Sequence, residues 1–221
     1  MYRHVSIDVV GSGEAFRRAL EQEDRGSVSR ERFLRRLALA GGAALVGGVF
    51  VGGLPRLGLS APSPAQDVQI FNFALLLEHL QAAFYEEAAR SDVLDDELRA
   101  FVDVVRGHEQ RHIEYIRSAL GDKAQKAPTF SFGDALRDAQ TFAATAVTLE
   151  DLGVAAYNGQ AANVTRKALA AAAKIVSVDA RHAAWIRSIV GMTPASQPTD
   201  RPLTGKQVMA RVDRLGFVEG S

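Results

Sequence analysis

Between Asp67 and Gly191 apolar residues recur every three or four positions, β-branched alternation is missing, and Gly or Pro falls mainly where helices can end. The pattern predicts four long helices over roughly 66–90, 96–120, 132–161 and 166–190. Their joints are the short "SDVLD", where Asp92 or Asp95 can cap a helix, the longer "GDKAQKAPTFSFG", and the stretch from Asn163 to Arg166. After Gly191 the Pro-rich "MTPASQPTDRP" leads into a short helix from about Thr204 to Arg214. This tail, 192–221, is expected to pack on the bundle and to carry no chemistry.

The helices repeat in pairs. "LEHLQAAFY" (77–85) is matched by "LEDLGVAAY" (149–157), and "EQRHIEYIRSALG" (109–121) by "DARHAAWIRSIVG" (179–191). One helix bearing a lone Glu and a second bearing acid-x-x-His therefore form a hairpin that is used twice, which predicts an all-α four-helix bundle. The arms agree in length. Glu78 lies twelve residues before Arg90 and Glu109 twelve after Glu97; Glu150 lies twelve before Ala162 and Asp179 twelve after Lys167. Each hairpin thus brings two carboxylates to one level, about 18 Å below its turn. The central link leaves two arrangements open: residues 121–131 either run the length of the bundle nearly extended, at roughly 3.3 Å per residue, or make an antiparallel junction.

Positions three and four apart share a helix face, so Glu109 points with His112 and Asp179 with His182. Val105 and Ile116 flank the first pair on that face, and Ile175 and Ile186 the second. Glu78 lies in a stripe with Leu75, Ala82 and Tyr85, and Glu150 in one with Val147, Val154 and Tyr157. Four carboxylates and two imidazoles are therefore expected inside an apolar bundle. Burying an unpaired carboxylate costs several kcal/mol, and like charges repel. Two divalent cations would balance four carboxylates and take the imidazoles as neutral ligands. Two lone Glu plus two Glu-x-x-His is also the ligand set of di-iron and di-manganese carboxylate bundles. His79 and His108 face about 100° away from the ligands beside them, which suits the surface or an outer contact. Tyr85, Tyr157, Tyr115 and Trp185 read as core packing. Arg111 and Arg181 either brace carboxylates or are solvated, and Glu86, Glu87 and Glu114 read as surface charges.

Composition narrows the chemistry further. The 221 residues include no cysteine, which removes disulfides, iron-sulfur clusters and thiol nucleophiles and leaves His, Asp and Glu as ligands suited to iron, manganese or zinc. With 26 basic and 26 acidic residues no overall field recruits nucleic acid. An extension, 1–27, precedes a segment, 28–65, in which Arg30, Arg32, Arg35 and Arg36 are followed by eighteen uncharged residues, Leu37 to Leu54, and by small residues from Ala61 to Ala65. This predicts an export signal or a membrane anchor whose basic end stays in the cytoplasm, with a buried Gly-rich helix as the alternative. The segment resembles a twin-arginine signal through Ser29, Arg30, Arg32, Phe33 and Leu34, with Glu31 in place of the second arginine.

Over about residues 67–191 the chain resembles the ferritin-like superfamily, and within it the exported ferritin-like domain family that includes desiccation-related proteins. The resemblance rests on Leu77-Glu78 with Phe84-Tyr85, on His108-Glu109 with His112, and on Asp179-Ala180-Arg181-His182-Ala183. It implies Glu78 and Glu150 as terminal ligands, Glu109 and Asp179 as bridging carboxylates, and His112 and His182 as one imidazole per metal. Asp179 departs from the usual glutamate and is one methylene shorter. The implied protein is exported to the periplasm or cell exterior, or is anchored facing outward. It would hold two divalent ions, iron or else manganese, and oxidise ferrous iron or reduce peroxide in stress protection, with dioxygen or peroxide as small substrates and the membrane as a partner where the segment is uncleaved. A homo-oligomer is compatible with it. Two other readings stand beside this one: a non-catalytic metal-binding or structural stress protein, and a storage cage, which requires a large oligomer.

Overall fold

In the computed structural model of the protein, residues 61–219 are described. The signal or anchor segment expected at 28–65 lies, apart from its last five residues, outside them. Among the described residues there are five α-helices and no strand, only an isolated antiparallel bridge between Phe130 and Val218. No helix among them is long and apolar enough to cross a membrane.

Each helix begins at a side chain that satisfies its free amides. The first, α1, spans Pro64–Ala88; Ser63 accepts from Gln66 N, and Pro64, which has no N–H to leave unpaired, sits at the first position. Asp95 starts α2, Asp96–Leu120, by accepting from Leu98 N. Asp138 starts α3, Ala139–Gln160, accepting from Thr141 N at 2.7 Å and from its hydroxyl at 2.8 Å. Thr165 caps α4, Arg166–Ile189, while its own N–H and hydroxyl donate to Asp67 of α1, which ties the second hairpin's turn to the start of the first. A capping box of Thr204 and Gln207 opens α5, Gly205–Leu215.

The third helix begins seven residues later than its periodicity predicts, at 139 rather than 132. Residues 130–132 are used otherwise. Ser131 N donates to Phe217 O, Glu219 N to Thr129 O, and the Phe132 ring packs edge-on against Phe217 with centroids 5.2 Å apart. A 3-10 turn, Gly133–Leu136, separates this contact from the Asp138 cap.

Cross-helix contacts fix the topology. Tyr85 meets Glu150 and Tyr157 meets Glu78, so α1 and α3 are antiparallel. Glu86 pairs with Arg106 and His112 lies beside Glu78, so α1 and α2 are antiparallel too, which leaves α2 and α3 parallel. The link between them runs the length of the bundle. Near its start Asn72 of α1 donates to Lys123 O and accepts from Gln125 N; near its end Phe132 packs on Phe84, twelve residues along α1, or about 18 Å. Of the two arrangements left open by the sequence, the extended link is the one adopted.

The apolar core falls into two blocks. One holds Phe84, Phe101, Phe142, Leu149 and Ile186, with Val208, Val212 and Phe217 from the tail. The other holds Phe71, Leu75, Ile113, Ile116, Val164 and Ile175. Between them lies a polar layer.

The tail docks by close backbone approach. Leu203 N donates to Ala155 O at 3.0 Å, and a Cβ on Gly159 would lie 1.7 Å from Leu203 O. Gly159→Ala is therefore expected to push the tail off α3 and cost about 1–3 kcal/mol, seen as a melting temperature lower by about 3–10 °C. Gly107→Ala, on an exposed face with open space around the added methyl, is expected to stabilise by about 0.5–1 kcal/mol. Equal melting temperatures for the two variants would refute this account of the tail.

Candidate metal centre

Every member of the polar layer comes from a helix interior, where backbone geometry is fixed by packing on both sides. Glu78 is on α1, Glu109 and His112 on α2, Glu150 on α3, and Asp179 and His182 on α4. All six are buried, Glu109 and Glu150 completely. The structure thus places all six residues singled out in the sequence in one layer; five of them form two close ligand groups, and Glu150 lies outside both, beside His182.

Glu109 lies between the two imidazoles. Its Oε2 is 3.2 Å from His112 Nδ1 and its Oε1 is 3.1 Å from His182 Nδ1. Glu78 Oε2 is 3.2 Å from His112 Nδ1, and Glu150 Oε2 is 3.5 Å from His182 Nδ1. Asp179 offers a single oxygen, Oδ1, to both halves, at 3.4 Å from His112 Nδ1 and 3.9 Å from His182 Nδ1. Two groups have ligand atoms that all lie within 4.8 Å of one another: Glu78, His112 and Asp179, and Glu109, Asp179 and His182.

These atoms converge without satisfying one another. Glu78 Oε2, Glu109 Oε1, Glu150 Oε2, Asp179 Oδ1 and His182 Nδ1 are buried with no hydrogen-bond partner. A native interior leaves few polar atoms in that condition, and five in one layer of carboxylate and imidazole groups are what a cation-binding centre would use. The donor set is oxygen and imidazole nitrogen, which suits a divalent first-row metal. The residues therefore fit a metal ion.

The outer oxygens are anchored. Tyr85 donates its hydroxyl to Glu150 Oε1 and Tyr157 to Glu78 Oε1, each at 2.5 Å, so each hairpin's tyrosine holds the other hairpin's glutamate. Gln81 Nε2 also donates to Glu150 Oε1, at 3.1 Å. Tyr85 is a core residue, as read from the sequence, and Tyr157 packs partly buried against the second block, but their hydroxyls orient ligand carboxylates as well. His108, half-buried, places Nδ1 2.9 Å from His182 Nε2. His79 is half-buried and belongs to neither ligand group. Arg111 and Arg181 are solvated, as are Glu87 and Glu114, while Glu86 pairs with Arg90 and Arg106. Tyr115 and Trp185 correct the reading of core packing: each leaves more than a third of its surface in solvent. Both lie three residues past a ligand histidine, about 60° around the helix from it, on the bundle's shoulder.

Electrostatics of the layer follow from burial. Loss of solvent pushes Glu78 up to about 8, opposed by the adjacent His112 imidazole and aided by the Glu109 charge. Burial likewise raises Glu150 and Asp179. For Glu109 burial is outweighed by the close approach of His112, His182 and Glu78, which pulls it down to about 2. Burial alone would lower both imidazoles, yet Glu109 and Glu78 bring His112 up to about 11, and Glu109 and Glu150 bring His182 up to about 9.

These shifts set a pH dependence for chelator-treated protein. Glu78, His182 and His112 titrate above their ordinary values of 4.5 and 6.5. Their stabilising contributions are complete below those values and are lost as pH climbs towards about 8, 9 and 11. Glu109, held down, opposes this trend only below about 4.5. The melting temperature is therefore expected to fall between about pH 6 and pH 9. Added Mn(II) should reverse the slope, because ligands must shed protons to bind it. Melts across that range with and without the ion decide the matter; a chelated sample whose midpoint climbs with pH contradicts it.

No curated protein sequence matches the chain. The family model described as the ferritin-like domain matches residues 66–192, more than half of the chain and all four helices of the bundle. The chain belongs to the ferritin-like domain family.

Proposed function

We propose that the protein is an exported dimetal carboxylate protein that holds two ferrous ions and oxidises them with dioxygen or peroxide, protecting the cell under oxidative or desiccation stress. The observation that carries this reading is the set of five buried, unpartnered ligand atoms gathered in one layer of a duplicated frame, where two ligand groups share Asp179. Four carboxylates against two divalent cations leave the layer neutral, whereas a single ion leaves excess charge in a medium that penalises it. Two ferrous ions supply the two electrons that, with two protons, reduce one peroxide to two waters. The chain's own residues do the rest. Tyr85, Tyr157 and Gln81 hold the outer glutamate oxygens, leaving one oxygen of each glutamate to turn towards an ion. The apolar blocks on either side keep bulk water away and strengthen every charge interaction within. Export rests on the arginines and apolar run of 28–65, and the choice of iron on the donor set.

A second reading, in which the ions serve structure alone, is favoured by the closure of the layer: Glu78, Glu109 and Glu150 are each no more than 1% exposed. One experiment separates the two. The purified full chain is loaded with ferrous iron without oxygen and then exposed to oxygen or peroxide. Two irons per chain and a fast oxidation phase are expected, with His112→Ala and His182→Ala each retaining one iron or fewer and losing that phase. Uptake that raises the melting temperature without any fast phase supports the structural reading. A folded chain that takes up no iron sinks both.

A further inference from the structure

Among the matched positions at which the two units differ, three bear directly on the centre. Gln81 of the first unit corresponds to Gly153 of the second, His108 to Val178, and Glu109 to Asp179. The first two breaks fall on the same half of the centre. Gln81 Nε2 and the Tyr85 hydroxyl both donate to Glu150 Oε1, whereas Glu78 Oε1 receives the Tyr157 hydroxyl alone among the described residues. Gly153 makes this reach feasible, since a Cβ there would already lie 3.3 Å from Gln81 Oε1. His182 presents Nδ1 to Glu109 and Glu150 and Nε2 to His108, whose ring stacks on its own with centroids 5.1 Å apart. Val178, half-buried like His108, has no polar atom to offer His112.

We propose that His108 and Gln81 are positioning residues that shape the Glu150/His182 half of the centre ahead of its ion, whereas the Glu78/His112 half takes its final form from the ion it receives. The inference rests on the dimetal reading above. An imidazole whose Nε2–H is donated to His108 Nδ1 has its tautomer and ring plane fixed, with the Nδ1 lone pair aimed at the metal. A carboxylate with one oxygen held twice has one oxygen left to give. Ligands fixed in this way lose little freedom when the ion arrives, so the two ions bind in order, first beside His182. Asp179 Oδ1 stands nearer to His112, at 3.4 Å, than to His182, at 3.9 Å, which pulls the other way. That oxygen accepts no hydrogen bond, however, and can follow whichever ion is bound.

The test is an anaerobic titration of the full chain with Co(II), followed by visible absorption and by calorimetry. Two resolved steps are expected for the native chain. His108→Leu and Gln81→Met should each weaken the first step by about 10–100-fold and leave the second in place. His108→Gln, which keeps an acceptor for His182, should recover most of the loss. Val178→His puts at the position matched to His108 an imidazole that can serve His112 as His108 serves His182, and should tighten the second step by about 10-fold, a gain that poor folding cannot produce. The inference fails, with the dimetal reading intact, if the native chain shows one unresolved step, if the Leu and Met variants weaken both steps alike or neither, or if Val178→His leaves the second step unchanged. If the native chain binds no Co(II), both readings fail together.

Discussion

Four carboxylates in an apolar interior are the constraint on which the rest of the molecule depends. Glu78, Glu109, Glu150 and Asp179 stand within one layer, with apolar blocks above and below, where an uncompensated charge costs several kcal/mol. No surface rearrangement relieves that cost, because each group is carried by the middle of a long helix held at both ends. The compensation has to be local: protons and imidazolium when no cation is present, cations otherwise. The same groups that burden the fold therefore make it sensitive to metal and to pH, and the aromatic packing of Phe84, Phe132 and Phe142 supplies stability that does not depend on either.

The link from α2 to α3 determines which partners the ligands find. Because it runs the length of the bundle, α3 lies antiparallel to α1, and a tyrosine seven residues beyond each glutamate arrives at the level of the opposite glutamate. A short antiparallel junction would have reversed α3 and left both hydroxyls at other depths. Asn72, holding Lys123 O and Gln125 N, and the pairing of residues 129–131 with 217–219 keep the link at its two ends. The C-terminal tail thus serves the centre at a distance, through the link rather than through any contact with the ligands.

What could be read from the sequence was what helix geometry alone determines. Acid and histidine three apart share a face whatever surrounds them, and equal arms put carboxylates at one level for any tight turn, so the six residues of the layer and the hairpin pairing were legible. Contacts between hairpins were not. The tyrosine hydrogen bonds depend on the direction of α3, which the length of the link permits but does not decide. The start of α3 is not encoded locally, because Phe130 and Phe132 carry apolar periodicity yet are claimed by Val218 and Phe217 from the C-terminal tail. His108 lies off the ligand face, as helix spacing requires, but its contact with His182 comes from the crossing of α2 and α4, which no local spacing encodes. Trp185 and Tyr115 sit where a matched aromatic pair suggests an interior, and the shoulder of a four-helix bundle is only half interior.

The fit of Gln81 against Gly153 bears on how such a centre could have arisen. Two separate copies of one hairpin would have to place the same residue at both positions. Glutamine at both would force two amides into the room that one occupies, and glycine at both would leave Glu150 without its second donor. Joining the hairpins in a single chain removes that identity, so each half can be altered without altering the other. Fusion, on this view, gave the protein more than a fixed stoichiometry: it gave it the freedom to be asymmetric.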